Sequence, residues 1–181
     1  MSEEALLQLL QPLTYAIMGA GFCGIYYYSR ELVAAKFWAF SYLFGSLGFL
    51  IDFSISNGDS HLTSWATNIA YFAASSLYVT GHFVRMKQPV PVKALALLGA
   101  VTIILMVTFR HIMPDTMLRT IAMNLCNAGV FSLPVAALLR HDNRLPDTPL
   151  VDRIAGIVLA FFVVTFFVRV GLLASGTIDQ N

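Results

Sequence analysis

The chain has 181 residues, of which 57% are hydrophobic and 12% charged, with a formal net charge of +1. A soluble domain carries about 25% charged residues. Half that charge cannot cover a globule in water, so most of this surface must face lipid. The near-neutral balance also argues against nucleic acid or any strongly acidic partner.

The amino terminus, Met1-Ser2-Glu3-Glu4, lacks the basic region of a signal peptide, and its first apolar run ends at Ser29-Arg30-Glu31 and not at a small-residue cleavage site. It therefore reads as a retained helix. A membrane-crossing helix needs about 20 mostly apolar residues. Six stretches meet that test, at roughly 5–28, 33–54, 62–84, 90–109, 116–139 and 150–174. Turn chemistry separates them at Asn57-Gly58-Asp59-Ser60, Pro89-Val90-Pro91, Met113-Pro114-Asp115 and Arg144-Leu145-Pro146-Asp147-Thr148-Pro149. The expected fold is all-α: a polytopic transmembrane bundle of about six helices, forming a single domain over 1–181. No connection is long enough to fold alone, so function must sit in the bundle, on its rims, or in something attached to it.

Basic residues set the expected orientation. Arg30 and Lys36 flank the first connection, Arg85, Lys87 and Lys93 the third, and Arg140, Arg144 and Arg153 the fifth. The second connection has no Lys or Arg, and the fourth has Arg110 and Arg119. The positive-inside rule places the odd-numbered connections in the cytoplasm and both ends of a six-helix chain outside it. Arg30, Arg85 and Arg140 also recur at equal spacing after odd-numbered helices, as three parallel helix-hairpin repeats would place them.

Polar groups within apolar helices are the first candidates for function, because each costs several kcal/mol unless partnered. Arg169 lies in Phe166-Phe167-Val168-Arg169-Val170-Gly171, at a depth comparable to Asp52 near the outer end of the second helix. Asp52 could pair with Arg169 or Arg110 as an outer-rim ion pair. Alternatively, Arg169 binds an anionic ligand from outside. Asn68, Asn124 and Asn127 are expected to fasten neighbouring helices together, and otherwise to contact a ligand.

Cys23 and Cys126 sit in apolar runs and read as packing residues. His61 and His111 fall near one expected surface and His82 and His141 near the other, so each pair could offer two axial ligands to a haem. There is, however, no His-Glu-x-x-His spacing and no Cys-x-x-Cys-His, so neither a cofactor nor a metal is expected, and the histidines read as interfacial packing residues. Tyr26, Tyr27, Tyr28, Phe37 and Trp38 fit one aromatic belt and Trp65 the other. Gly21-x-x-Gly24 and Gly45-x-x-Gly48 would permit close helix approach. Phosphate loops, nucleophile elbows and zinc-protease motifs are absent from the sequence.

The second and third helices read Ala35-Lys36-Phe37-Trp38-Ala39 … Gly45-Ser46-Leu47-Gly48 and Trp65-Ala66-Thr67-Asn68 … Gly81-His82-Phe83-Val84-Arg85. This pattern resembles the multi-helix input region that precedes GGDEF domains in bacterial diguanylate cyclases. That region has an early Trp and a Gly-rich stretch in its second helix, an Asn early in its third, and a Gly before a basic loop. Arg119, Leu138-Leu139-Arg140 and Arg169 extend the likeness more loosely.

The resemblance implies a membrane-embedded sensory module of the bacterial inner membrane, amino end periplasmic, that works as a homodimer and signals to a cytoplasmic cyclase. Family members carry a further helix and the cyclase domain. Here the chain reaches Ser175-Gly176-Thr177-Ile178-Asp179-Gln180-Asn181, which reads as the start of an outside loop, and holds no GGDEF motif. It is therefore not expected to be the cyclase itself. A small transporter or ligand carrier, with Pro134 as its helix break, is the other function class that the pattern admits.

Overall fold

Lipid offers no water to a backbone N–H or C=O, so apolar runs of this length must satisfy their backbone internally, as helices. The structure, a computed structural model, describes residues 3–55, 61–142 and 150–175, with side chains for 9–54, 64–139 and 154–175. Six helices form among them: α1 (Glu3–Tyr28), α2 (Val33–Ile55), α3 (His61–Arg85), α4 (Val92–Val107), α5 (Thr116–Asp142) and α6 (Leu150–Ala174). A π-helical turn, Thr108–Ile112, extends α4. The expected all-α bundle is thus the observed one. The helices group into two compact units, Met1–Val90 and Pro91–Asn181, divided through the second of the three expected hairpins.

In the first unit, α2 packs between α1 and α3. Ring pairs fix the direction of packing. Tyr15 meets Phe49 and Phe22 meets Trp38, so α1 and α2 are antiparallel. Trp38 meets His82 and Phe49 meets Tyr71, so α2 and α3 are antiparallel as well. Two serines fasten the unit. Ser41 Oγ donates to Ala74 O across α2 and α3, and Ser46 Oγ to Pro12 O across α2 and α1, both at 2.8 Å.

The end of α3 is closed by its backbone. Gln88 N donates to Phe83 O at 3.0 Å and Lys87 N to Val84 O at 3.1 Å, the paired bonds of a Schellman cap. Lys87 holds the left-handed position of that cap, at φ 53°.

In the second unit, α5 packs against both α4 and α6. Phe131 stacks on Phe162 and Phe166, at 6.0 and 5.9 Å between centroids. The α4 end predicted at 109 instead continues through the π turn, closed by Met113 N donating to Thr108 O at 2.8 Å. Asp115 Oδ1 then caps α5 by accepting from Leu118 N at 2.9 Å. Helix α5 runs unbroken through Pro134, whose side chain is fully buried.

Among the described residues five segments are both long and apolar enough to cross a bilayer: Leu9–Tyr28, Val33–Ser54, Val92–Ile112, Thr116–Leu139 and Ile154–Ala174. The chain is therefore a multi-pass membrane protein. The sixth expected span, 62–84, is indeed a helix, but α3 is too polar to join this set. It carries Ser64, Thr67, Asn68, Ser75, Ser76, Thr80 and His82. Part of that polarity is masked within the helix, where Asn68 Nδ2 donates to Ser64 O and Thr80 Oγ1 to Ser76 O, at 2.7 and 2.8 Å.

Candidate functional site

The densest polar and aromatic cluster lies where α2 and α3 meet, toward the end of the first unit that carries Arg30, Lys36 and Arg85. Trp38, one and a half turns into α2, places its indole against the backbone of α3 at Gly81. A Cβ on Gly81 would stand 2.5 Å from Trp38 Nε1, so only glycine admits the ring. His82, the next residue, is 6% exposed. Its imidazole is flanked by the rings of Trp38 at 5.3 Å and Tyr78 at 4.9 Å.

From this cluster the rings continue along the unit. Phe22 packs edge-on to Trp38 and stacks on Tyr42 at 5.6 Å. Tyr42 meets Tyr15 and Tyr78, Tyr15 meets Phe49, and Phe49 meets Tyr71. Each such pair contributes about 0.5–1.5 kcal/mol beyond its buried area. Tyr71 OH finally donates to Asp52 Oδ2 at 3.3 Å. An aromatic ladder thus links His82 near one end of the unit to Asp52 near the other.

Glycines make room for it. A Cβ on Gly45 would meet the Tyr15 ring at 2.6 Å, and one on Gly48 the Tyr71 ring at 2.7 Å. The expected close approach at these two positions is therefore of tyrosine rings. Gly21 and Gly24 have no such neighbour within 4 Å.

Trp38 Nε1, Thr67 Oγ1 and Ser76 Oγ are shut off from solvent with no hydrogen-bond partner. An unsatisfied buried donor costs about 1–3 kcal/mol, so each is a position where an incoming acceptor would gain free energy. Trp38 thus differs from the interfacial anchor expected of it. Its N–H is held dry, because α3 covers it at Gly81. His82 lies in the last turn of α3, where a rim residue is expected, but its ring is buried in the helix interface.

The remaining sequence candidates are divided between the two units. Asp52 belongs to the first unit; Arg110 and Arg169 belong to the second, where Arg169 is exposed. Asn68 and Asn124 were expected to bridge helices, yet each donates to its own preceding turn, Asn124 Nδ2 reaching Thr120 O at 2.7 Å. The reason is geometric: an amide at i reaches the carbonyl at i−4 without any help from a neighbour. Asn127 is half-buried on α5.

His111 is exposed on the π turn, and the side chains of His61 and His141 lie outside the described residues. Among the described residues no three His, Cys, Asp or Glu side chains gather as a metal would require. Cys126 is buried, in line with a packing role, whereas Cys23 is exposed.

Sequence reasoning missed Ser41 and Ser46 as the interhelical fasteners, and Tyr15, Phe22, Tyr42 and Tyr78 as the ladder. The available signal was the set of glycines in α2 and α3, each matched by an aromatic residue on an adjacent helix. No protein-family model, curated protein or solved structure matches the chain.

Proposed function

We propose that the chain is a membrane-embedded sensory module whose first unit responds to a small acceptor-bearing ligand, or to the state of the surrounding lipid, at the Trp38–His82 cluster. Its output goes to an attached or partner cytoplasmic diguanylate cyclase. The observation that carries this reading is the packing of Trp38 Nε1, solvent-free and without an acceptor, on Gly81. An N–H so held is poised: a ligand that supplies an acceptor rewards a small displacement of α2 against α3. The ladder from Trp38 to Asp52 is a contiguous path along which such a shift reaches the opposite end.

The likeness to cyclase input regions supports the choice of output. Trp38, Gly45, Gly48 and Gly81, four of the residues on which that likeness rests, each take part in an interhelical contact, whereas Asn68, another of them, bonds within its own helix. In this reading the bilayer is the bacterial inner membrane, the amino end is periplasmic and the basic connections are cytosolic. The module works as a homodimer, because two cyclase active sites must meet.

The test is cyclic-di-GMP content in cells expressing the wild-type chain, Trp38→Phe or Gly81→Ala at matched membrane levels. Both variants should alter the nucleotide level severalfold relative to wild type. Equal levels in all three strains, with all proteins folded, would remove the sensory assignment.

A further inference from the structure

A second site lies apart from the ladder, where α1 ends and α2 begins. Cys23, Tyr26 and Tyr27 on α1, Arg30 in the connection, and Lys36, Ala39 and Phe40 on α2 line a groove of about 270 Å³. Spacings of three and four along α1 put Cys23, Tyr26 and Tyr27 on one face of that helix, and Arg30 follows in the connection. The Arg30 guanidinium lies over both tyrosine rings, 5.6 Å from the centroid of Tyr26 and 5.7 Å from that of Tyr27. Cation–π contact holds it at the groove mouth. Among the described residues no carboxylate pairs with Arg30 or Lys36. Glu31 is exposed and takes no part in the lining.

We propose that this groove binds the headgroup of an anionic phospholipid, its phosphate between Arg30 and Lys36. Depth and charge together select that occupant. The groove opens at the ends of two spans, Leu9–Tyr28 and Val33–Ser54, where lipid phosphates lie. Two unpaired cations complement a net negative headgroup, and a zwitterionic one far less. Of the lining, Tyr27 and Phe40 are exposed, as are Tyr28, Leu32 and Val33 in and beside the connection. That apolar rim suits the glycerol backbone and first acyl methylenes of a lipid, and offers nothing to a free phosphate.

The full chain in detergent, titrated with phosphatidylglycerol or phosphatidylcholine and weighed by native mass spectrometry, tests this. Wild type should retain phosphatidylglycerol in preference to phosphatidylcholine. Arg30→Gln with Lys36→Gln should weaken phosphatidylglycerol binding about thirty-fold, from two lost basic contacts. Lys87→Gln with Lys93→Gln removes equal charge at residues that do not line the groove and should leave binding unchanged. Cys23→Phe should weaken it at constant charge by filling the groove, which keeps the test decisive if the first pair fails to fold.

Equal retention of the two lipids overturns the proposal, as does equal loss in both double variants or unchanged binding in Cys23→Phe. Displacement of the lipid by sn-glycerol 3-phosphate at the same concentration would assign the groove to a soluble phosphate instead.

Discussion

Gly81 and Trp38 are complementary: the hydrogen of one is the space that the indole of the other occupies. A methyl group on Gly81 would fall 2.5 Å from Nε1 and 2.6 Å from the adjacent ring carbon. Gly81→Ala should therefore destabilise the first unit by about 1–3 kcal/mol, the usual cost of overpacking. Thermal unfolding in detergent measures it. In a Trp38→Phe background, where the five-membered ring is gone, the same substitution should cost markedly less. Additive losses would mean that the two residues do not meet.

Trp38→Phe by itself sets two effects in opposition. It removes apolar area, and it also removes a dry N–H that has no acceptor. Because the buried donor costs about 1–3 kcal/mol, the net change should stay within about 1 kcal/mol of wild type. A loss of several kcal/mol on thermal unfolding would show that the indole N–H is satisfied in the folded protein.

Ser41→Ala and Ser46→Ala each delete one interhelical hydrogen bond. Such bonds in a membrane average about 0.6 kcal/mol, so each variant should lose roughly that amount, and the double variant about twice it. Thr165→Ala removes only a bond to its own helix and should lie closer to wild type in the same assay.

Lys87 adopts a left-handed backbone conformation that costs an L-residue about 1–2 kcal/mol. Glycine is the usual occupant of this cap position. Lys87→Gly should thus stabilise the protein by about 1 kcal/mol, and Lys87→Val should destabilise it. A lower midpoint for the glycine variant would contradict the cap.

At the start of α5, Asp115→Ala should cost about 1 kcal/mol by leaving Leu118 N without its acceptor. Asp115→Asn retains a side-chain oxygen and should recover most of that loss. Equal effects would place the role of Asp115 elsewhere.

The helices themselves were legible because hydrophobic run length and Gly/Pro punctuation report directly on what lipid demands of a backbone. The π turn was not. It adds one residue to a hydrogen-bonded ring, and no residue type in Thr108–Ile112 announces that. The candidate site was half visible. Trp38 and Gly81 stood out as a pattern, but they lie 43 positions apart, and only antiparallel packing of α2 on α3 brings indole and glycine together.

Asn68 and Asn124 misled for a different reason. Sequence gives the side chain's bonding capacity without its geometry, and the nearest carbonyl, four residues back, wins over a neighbour's. The serines at 41 and 46 are too short to be selected by inspection. They became fasteners because small side chains at those points let the helices approach closely.

The polarity of α3 has a consequence for how the protein is made. A segment rich in Ser, Thr, Asn and His partitions poorly from the translocation channel into lipid when presented alone. Helix α2 emerges first and is apolar enough to enter unaided, and α3 lies along it from Trp38–His82 to Phe49–Tyr71. Insertion of the third helix is therefore expected to be cooperative with the second. Substitutions that spoil their shared face would then appear as failed integration during synthesis, before any finished protein exists to be destabilised.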